Sequence, residues 1–408
     1  MKVNRVEQHR IKNSHKFFPI IDDLCWKAKN IYNYGNYIIR QEFVATSKEK
    51  EEGLREKANW IQYNQLFHIV KDSEPYKEFG SNLGQATLRK LDKNWKSFFK
   101  ASKGYAKHPE KYLGKPKMPK YLPKDGRQVF MLKNIQCSLN DGIFRISYKP
   151  FHQYTVPTHA KGKLLQCRFV PKREYYIMEI VYEVETPEPT QNVERICGVD
   201  LGVENFITGA NNFGEQPFVV KGGELKSINQ YYNRKKAEFQ SDLKKKHNQD
   251  WSKRLEALTN KRYEKIKYVM HCISKRLIDY CVENSVDAVV IGLNKKWKQE
   301  TGCMQNFTYI PYEMFIAQVK SKCEQNGIVC IETEEGYTSG TSFLDNEEPV
   351  KENYKKERRI YRGLFVSDSG KTINADVNGA YQIIKKVFPD AFSEGIEGVG
   401  LHPSQLVV

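Results

Sequence analysis

GVDLGVENFITG, residues 198–209, opens the second half of the chain with an apolar run that stops at a carboxylate. Ile196 to Val199 read as a buried strand, Asp200 stands at its end, and Gly202 permits a tight turn directly after it. A carboxylate at the end of a buried strand needs either the donors of a hydrogen-bonding turn or a metal ion, and the stretch alone leaves both roles open. Working outward, strands are expected at Asn205–Thr208 and Pro217–Val220. A long helix follows, its apolar face carrying Leu255, Leu258, Ile266, Val269, Ile273, Leu277 and Cys281. A strand at Ala288–Ile291, a helix, a strand at Ile328–Thr333 and a final helix from Val377 complete the pattern.

A three-strand meander followed by alternating helices and strands is the order expected of an RNase H-like α/β core. The second notable carboxylate lies in INADVNGAYQI, residues 373–383, where Asp376 sits at a helix start beside Asn374 and Asn378. Asp and Asn are favoured helix caps, so a purely structural role is available to it. In such a core, however, the end of the first strand and the start of the last helix converge. Asp200 and Asp376 are therefore candidates to share divalent ions of the kind that hydrolyse phosphodiesters in two-metal sites.

The chain has 408 residues, enough for two or three domains with cores of their own. Its 12% aromatic content excludes a disordered chain. The longest apolar runs, such as AVVI at Ala288–Ile291, fall far short of a membrane span, and no signal-peptide pattern opens the sequence. A cytoplasmic, nucleoid-associated protein with no membrane partner is expected. The net charge of +17 calls for a polyanionic partner, of which nucleic acid is the obvious one. The nine cysteines are scattered, odd in number and nowhere spaced as CxxC, which suits a reducing compartment and supplies no zinc site.

Helical periodicity dominates the first hundred residues, with one apolar face through Leu24, Ala28, Ile31 and Ile38 and another through Leu83, Leu88, Leu91, Trp95 and Phe98. Between Lys100 and Lys133, ten basic residues face only Glu110 and Asp125, and Tyr105, Tyr112 and Tyr121 are interleaved. This is either a solvated linker or, as we favour, a groove that tracks a nucleic-acid backbone, with Lys115, Lys117, Lys120, Tyr121 and Lys124 as its candidate contacts. From Val129 to Glu185 the period becomes two, with an Asn-Asp-Gly turn at Asn140, so an antiparallel sheet or barrel is expected. The Thr-Pro-Glu-Pro-Thr run from Thr186 then marks a domain boundary.

GVDLGVENFITG, KGGELKSINQYYNRK from Lys221, IGLNKKWKQ from Ile291, EEGYTSGTSFLD from Glu334 and RIYRGLFVSDSGKTINADVNGAYQIIKK from Arg359 resemble, in this order, the transposon-encoded TnpB (OrfB) proteins, relatives of type V CRISPR effectors. LDKNWKSFFKA from Leu91 and GKPKMPKY from Gly114 carry the resemblance into the first half. It implies a wedge-type β-barrel over residues 1–190 with a helical recognition insert at about 20–110. A RuvC-like nuclease domain over 191–408 would follow, with a ribbon-like insert at about 336–372. The implied activity is Mg²⁺- or Mn²⁺-dependent cutting of double-stranded target DNA beside a short flanking motif, directed by a guide RNA from the transposon end.

Two departures from the family pattern bear on the site. Where its members usually place a catalytic Glu, after the strand that reads AVVI here, this chain has Gly292, Leu293 and Asn294. Neighbouring strand ends lie about 5 Å apart, so Glu334 or Glu335, ending the adjacent strand, is placed to replace that acid. Strand alternation points the two oppositely, so at most one is a ligand. The expected catalytic set is Asp200, Asp376 and one of this pair, Glu335 being the named metal ligand with the two aspartates. The alternative is a nuclease-inactive, RNA-guided DNA-binding repressor. Secondly, the insert lacks the four cysteines of the family's zinc ribbon, so no zinc is expected. Trp297, in a Lys-rich loop, is read as either a buried anchor or a base-stacking contact, and Arg358, Arg359 and Arg362 as phosphate contacts.

Overall fold

The computed structural model describes residues 1–151, 154–293, 310–361, 363–393, 395 and 398–408. The chain divides into two compact units, Lys2–Glu185 and Thr186–Val408 with Met1.

In the first unit, strand β1 (Lys2–Lys12) is followed by four helices: α1 (Phe18–Glu51), α2 (Tyr63–Val70), α3 (Glu74–Phe79) and α4 (Ser81–Lys107). Six strands follow: β2 (Phe130–Lys133), β3 (Cys137–Asn140), β4 (Ile143–Ile146), β5 (Thr155–Pro157), β6 (Lys163–Pro171) and β7 (Tyr175–Glu185). They pair as an antiparallel four-stranded sheet, β1-β7-β6-β2, and a three-stranded sheet, β3-β4-β5. The β3–β4 turn holds Asp141 at φ 49° and Gly142 at φ 72°, the left-handed pair that an Asn-Asp-Gly hairpin demands. Strand β1 was not foreseen: in KVNRVEQHRIK the less exposed positions alternate strictly, but they are Val3, Arg5, Glu7, His9 and Ile11, three of them polar, so the sequence shows no apolar period and the eleven-residue pairing with β7 identifies the strand instead. Helices α1 and α4 pack through Trp95, fully buried, whose Nε1 donates to Asn36 Oδ1 at 3.0 Å.

The second unit begins with a meander of β8 (Ile196–Leu201), β9 (Asn205–Asn211) and β10 (Phe218–Lys221). Helices α5 (Gly223–His247) and α6 (Lys253–Glu283), strand β11 (Ala288–Leu293), helix α7 (Tyr312–Gln325) and strand β12 (Val329–Glu334) follow. Then come the short strands β13 (Arg359–Tyr361), β14 (Leu364–Val366) and β15 (Thr372–Ile373), helix α8 (Ala375–Val387) and β16 (Ser404–Gln405). The main sheet has the order β12-β11-β8-β9-β10-β16; β8, β9 and β10 are antiparallel, and β11 runs parallel to both β8 and β12. Both faces are covered. Cys197, Val199, Val289 and Ile291 pack with Ile273, Leu277 and Val319 of α6 and α7, while Ile196 and Val290 pack with Ala380, Tyr381 and Ile383 of α8. Burial on two sides explains why β8 and β11 read as continuous apolar runs. Helix α8 lies so close to β8 that a Cβ on Gly198 would stand 2.5 Å from the Ala380 carbonyl oxygen, which brings the helix start to the strand end. No described helix is long and apolar enough to cross a membrane.

Candidate active site

Asp200, Glu335 and Asp376 line one cleft of about 1190 Å³ at the carboxyl ends of β8, β11 and β12, whose wall also carries Glu204, Glu313, Glu332 and Glu334. Asp200 stands in the last turn of the β8 ladder, opposite Thr208 of β9. Glu335 follows the last residue of β12, and Asp376 lies in the first turn of α8. Asn374, not Asp376, caps that helix: its Oδ1 accepts from the backbone N–H groups of Asp376 at 3.0 Å and Val377 at 3.2 Å. The Asp376 carboxylate is thereby released from capping and faces the cleft.

Gly292 explains how Glu335 enters. A Cβ built there would lie 2.5 Å from Ile383 Cδ1, 2.8 Å from Glu335 Cγ and 3.0 Å from its Oε1, so the space a side chain of β11 would fill is shared by Ile383 of α8 and the Glu335 side chain from the next strand. On the opposite wall, a Cβ on Gly379 would stand 3.2 Å from Asp200 Oδ2, so α8 also leaves room at its inner face. Glu334 lines the same cleft but is exposed, whereas Glu335 is half-buried.

Crowding and burial set the electrostatics. The Asp200 carboxyl is held well above the usual carboxylate range, first by desolvation and then by Glu335 and Asp376, with the Arg359 guanidinium opposing the rise. Desolvation pushes Glu335 up to about 7. Asp376 is held on both oxygens: Arg359 Nη2 donates to Oδ1 at 3.0 Å and Asn205 Nδ2 to Oδ2 at 2.8 Å. Tyr312, stacked on Phe206, closes one side and donates its hydroxyl to the Gly202 carbonyl at 2.8 Å.

The donor chemistry, carboxylate oxygens alone, fits a hard divalent cation such as Mg²⁺ or Mn²⁺, and the room left by Gly292 fits a third carboxylate. Among the described residues, however, no group of three or more His, Cys, Asp or Glu is already placed to hold a metal ion. Asn205, Tyr312 and Arg359 as a partner of Asp376 escaped the sequence reading. Each is defined by what folds against it, and none by spacing.

The expected phosphate contacts divide. Arg358 is corrected: it is 6% exposed, with Nη1 and Nη2 on the Glu347 carboxylate at 2.6 and 2.7 Å and Nε on Asp368 Oδ1 at 2.9 Å. Its donors are spent inside the insert, so it presents nothing to a phosphate. Trp297 and Arg362 lie outside the described residues. In the first unit Lys115, Lys117, Lys120, Tyr121 and Lys124 are all exposed on a loop whose backbone is stapled along α1. Asn36 Nδ2 and Arg40 Nη1 donate to the Pro119 carbonyl at 3.0 and 2.8 Å, Asn33 exchanges two bonds with Leu122, and Lys29 Nζ donates to the Lys124 carbonyl at 2.7 Å. The Arg40 guanidinium lies over the Tyr121 ring.

Comparison with known proteins bears on this arrangement. Residues 179–298 match the family model OrfB_IS605, described as a probable transposase, and residues 312–383 match that of the Cas12f1-like TNB domain. The TnpB-like protein ORF457 of Acidianus two-tailed virus is 23% identical over 398 residues, covering 88% of this chain and 81% of its own. The chain is thus similar to a TnpB-like protein over most of its length. A solved Cas12f1–sgRNA–target DNA complex superposes with a TM-score of 0.56 at 14% identity, over 89% of this chain and 82% of the other, which shows a shared fold. The second family match spans the Arg358 network, Arg359 and Asp376, and the first spans Asp200.

Proposed function

We propose that the chain is an RNA-guided, divalent-metal-dependent DNA endonuclease of the transposon-encoded kind, with an RNase H-like, RuvC-type catalytic domain and a wedge-type first domain. The observation that carries this reading is the meeting of Asp200, Glu335 and Asp376 in one cleft of a chain whose net charge is +17. Buried carboxylates are costly, and a strongly basic protein that gathers three of them has a use for cations at that point.

In this reading Asp200, Glu335 and Asp376 would hold Mg²⁺ or Mn²⁺, which when bound supplies an activated water and charge neutralisation for phosphodiester hydrolysis. Glu335 takes the position that Gly292 vacates, and Glu334 remains at the rim. Asn205 orients Asp376, and Tyr312 narrows the cleft on the side of Gly202. Guide RNA from the transposon end and target DNA beside a flanking motif are the proposed partners, by analogy with the RNA and DNA named for the Cas12f1 complex. The stapled loop carrying Lys115, Lys117, Lys120, Tyr121 and Lys124 is the proposed backbone-tracking surface.

The test is to sequence RNA that co-purifies with the full chain and then assay cutting of matched DNA with Mg²⁺. Enrichment of one structured RNA together with guided cutting supports the proposal; bulk ribosomal and transfer RNA fragments alone defeat it. One observation favours the repressor reading: Arg359 and Asn205 already hold Asp376. Guided DNA binding without cutting in either Mg²⁺ or Mn²⁺ would establish that alternative.

A further inference from the structure

We propose that Arg359 is a built-in counterion of the acid cleft, a guanidinium that stands in for the divalent cation and must be displaced from Asp376 for the site to load. The inference rests on the metal-dependent nuclease reading and concerns the state of the site before metal arrives.

Three observations carry it. Arg359 Nη2 is 3.0 Å from Asp376 Oδ1, and among the described residues Arg359 is the one guanidinium that lines the same cleft as Asp200 and Glu335. Its backbone is held in place. The preceding residue, Arg358, is buried and tied to Glu347 and Asp368, and Arg359 itself pairs in the β13–β14 ladder with Phe365, which is fully buried. The side chain beyond that anchored backbone is about one-third exposed and so keeps a path out of the cleft. Finally, neither oxygen of Asp376 is left without a donor, since Asn205 Nδ2 holds Oδ2 at 2.8 Å while Arg359 Nη2 holds Oδ1 at 3.0 Å. The single guanidinium pairs with one oxygen of one carboxylate, so a divalent ion that engages several of them at once competes on favourable terms once it can approach.

Displacement also yields a free guanidinium beside the loaded site. The counterion role is separated from a pure phosphate-contact role by metal affinity measured without DNA.

The experiment uses the full chain stripped of nucleic acid, with Mn²⁺ titrated at pH 7.5 and low salt and free Mn²⁺ read by electron paramagnetic resonance. Removing the charge in Arg359→Gln should tighten Mn²⁺ binding several-fold, to about tenfold, since one opposing charge in a half-buried cleft has been taken away. Arg359→Lys keeps the charge and should stay within about twofold of wild type. Asp200→Asn should abolish the tight site in every background. If Arg359→Gln binds Mn²⁺ no more tightly than wild type while Asp200→Asn still abolishes binding, the counterion proposal fails and the metal-site reading stands. If wild type and Arg359→Gln both lack a site that Asp200→Asn removes, the metal-dependent reading fails and the proposal falls with it.

Discussion

At the scale of single residues, Gly292 matters as much as any carboxylate. Adding one methyl group there collides with both Ile383 and Glu335, so Gly292→Ala should slow guided cleavage by about 10²-fold, the usual consequence of displacing a catalytic group by about an ångström. Cleavage kinetics on matched DNA check this, with RNA binding as the control that the chain still folds. Glu335→Gln should abolish cutting while Glu334→Gln, altering only an exposed rim acid, leaves it within about twofold; the reverse result would reassign the ligand. The raised carboxyls also make a stability prediction. Glu335 is held at about 7, above its value in an unfolded chain, so its protonated form favours the folded state. Its contribution is complete at pH values below the unfolded pKa and is lost as pH rises through about 7, and Asp200 acts in the same direction. Metal-free protein should therefore melt at a lower temperature at pH 8 than at pH 6, with Mg²⁺ raising the midpoint more at the higher pH. A calorimetric series with and without Mg²⁺ reads both effects.

At the scale of elements, the insert between β12 and α8 is organised around Arg358 in the absence of any cysteine. Its guanidinium joins Glu347 to Asp368, and Asp345 accepts from the backbone N–H groups of Asp368 and Ser369 at 2.8 and 3.3 Å. From the helix side, Asn378 donates to the Thr341 carbonyl and accepts from the Phe343 N–H, and Lys385 Nζ donates to the Asn346 carbonyl. In Arg358→Ala Glu347 loses its ion pair and Asp368 keeps only Lys355, so the melting midpoint should fall by about 5 °C or more, whereas a zinc chelator should leave it unchanged. Differential scanning calorimetry distinguishes these outcomes: a drop with the chelator would restore a metal to the insert. Of this network the chain's spelling conveys only that cysteines are missing and that basic residues cluster. Arg358 and Arg359 are adjacent and identical in type, yet one is buried in ion pairs and the other enters the acid cleft, because Arg358 ends a short helical turn (Lys356–Arg358) and Arg359 opens β13.

At the scale of the whole molecule, a net charge of +17 predicts RNA affinity that weakens steeply with salt. Replacing Lys115, Lys117, Lys120 and Lys124 with Ala should lower the slope of log affinity against log salt by roughly 0.7–0.9 for each lysine that contacts a phosphate, with the chain's melting midpoint unchanged. Filter binding across a salt series measures it; an unaltered slope would remove this loop from the interface. The exposure of these side chains follows from α1, whose polar residues Asn33, Asn36 and Arg40 hold the loop by its backbone and leave the lysines outward.

Sequence alone determined the α/β class, because buried strands, hairpin turns and amphipathic helices each write a period or a turn residue into the chain. It also determined that Asp200 ends an apolar strand and that Asp376 starts a helix, since both positions are local. Only the tertiary structure decided that Asn374 rather than Asp376 caps that helix, that Glu335 occupies the room left by Gly292, and that Arg359 rests on Asp376. It likewise revealed β1, whose charged residues hide a strand that pairing with β7 defines. These features depend on which side chains from distant segments share a volume, and neither periodicity nor spacing along the chain encodes a volume.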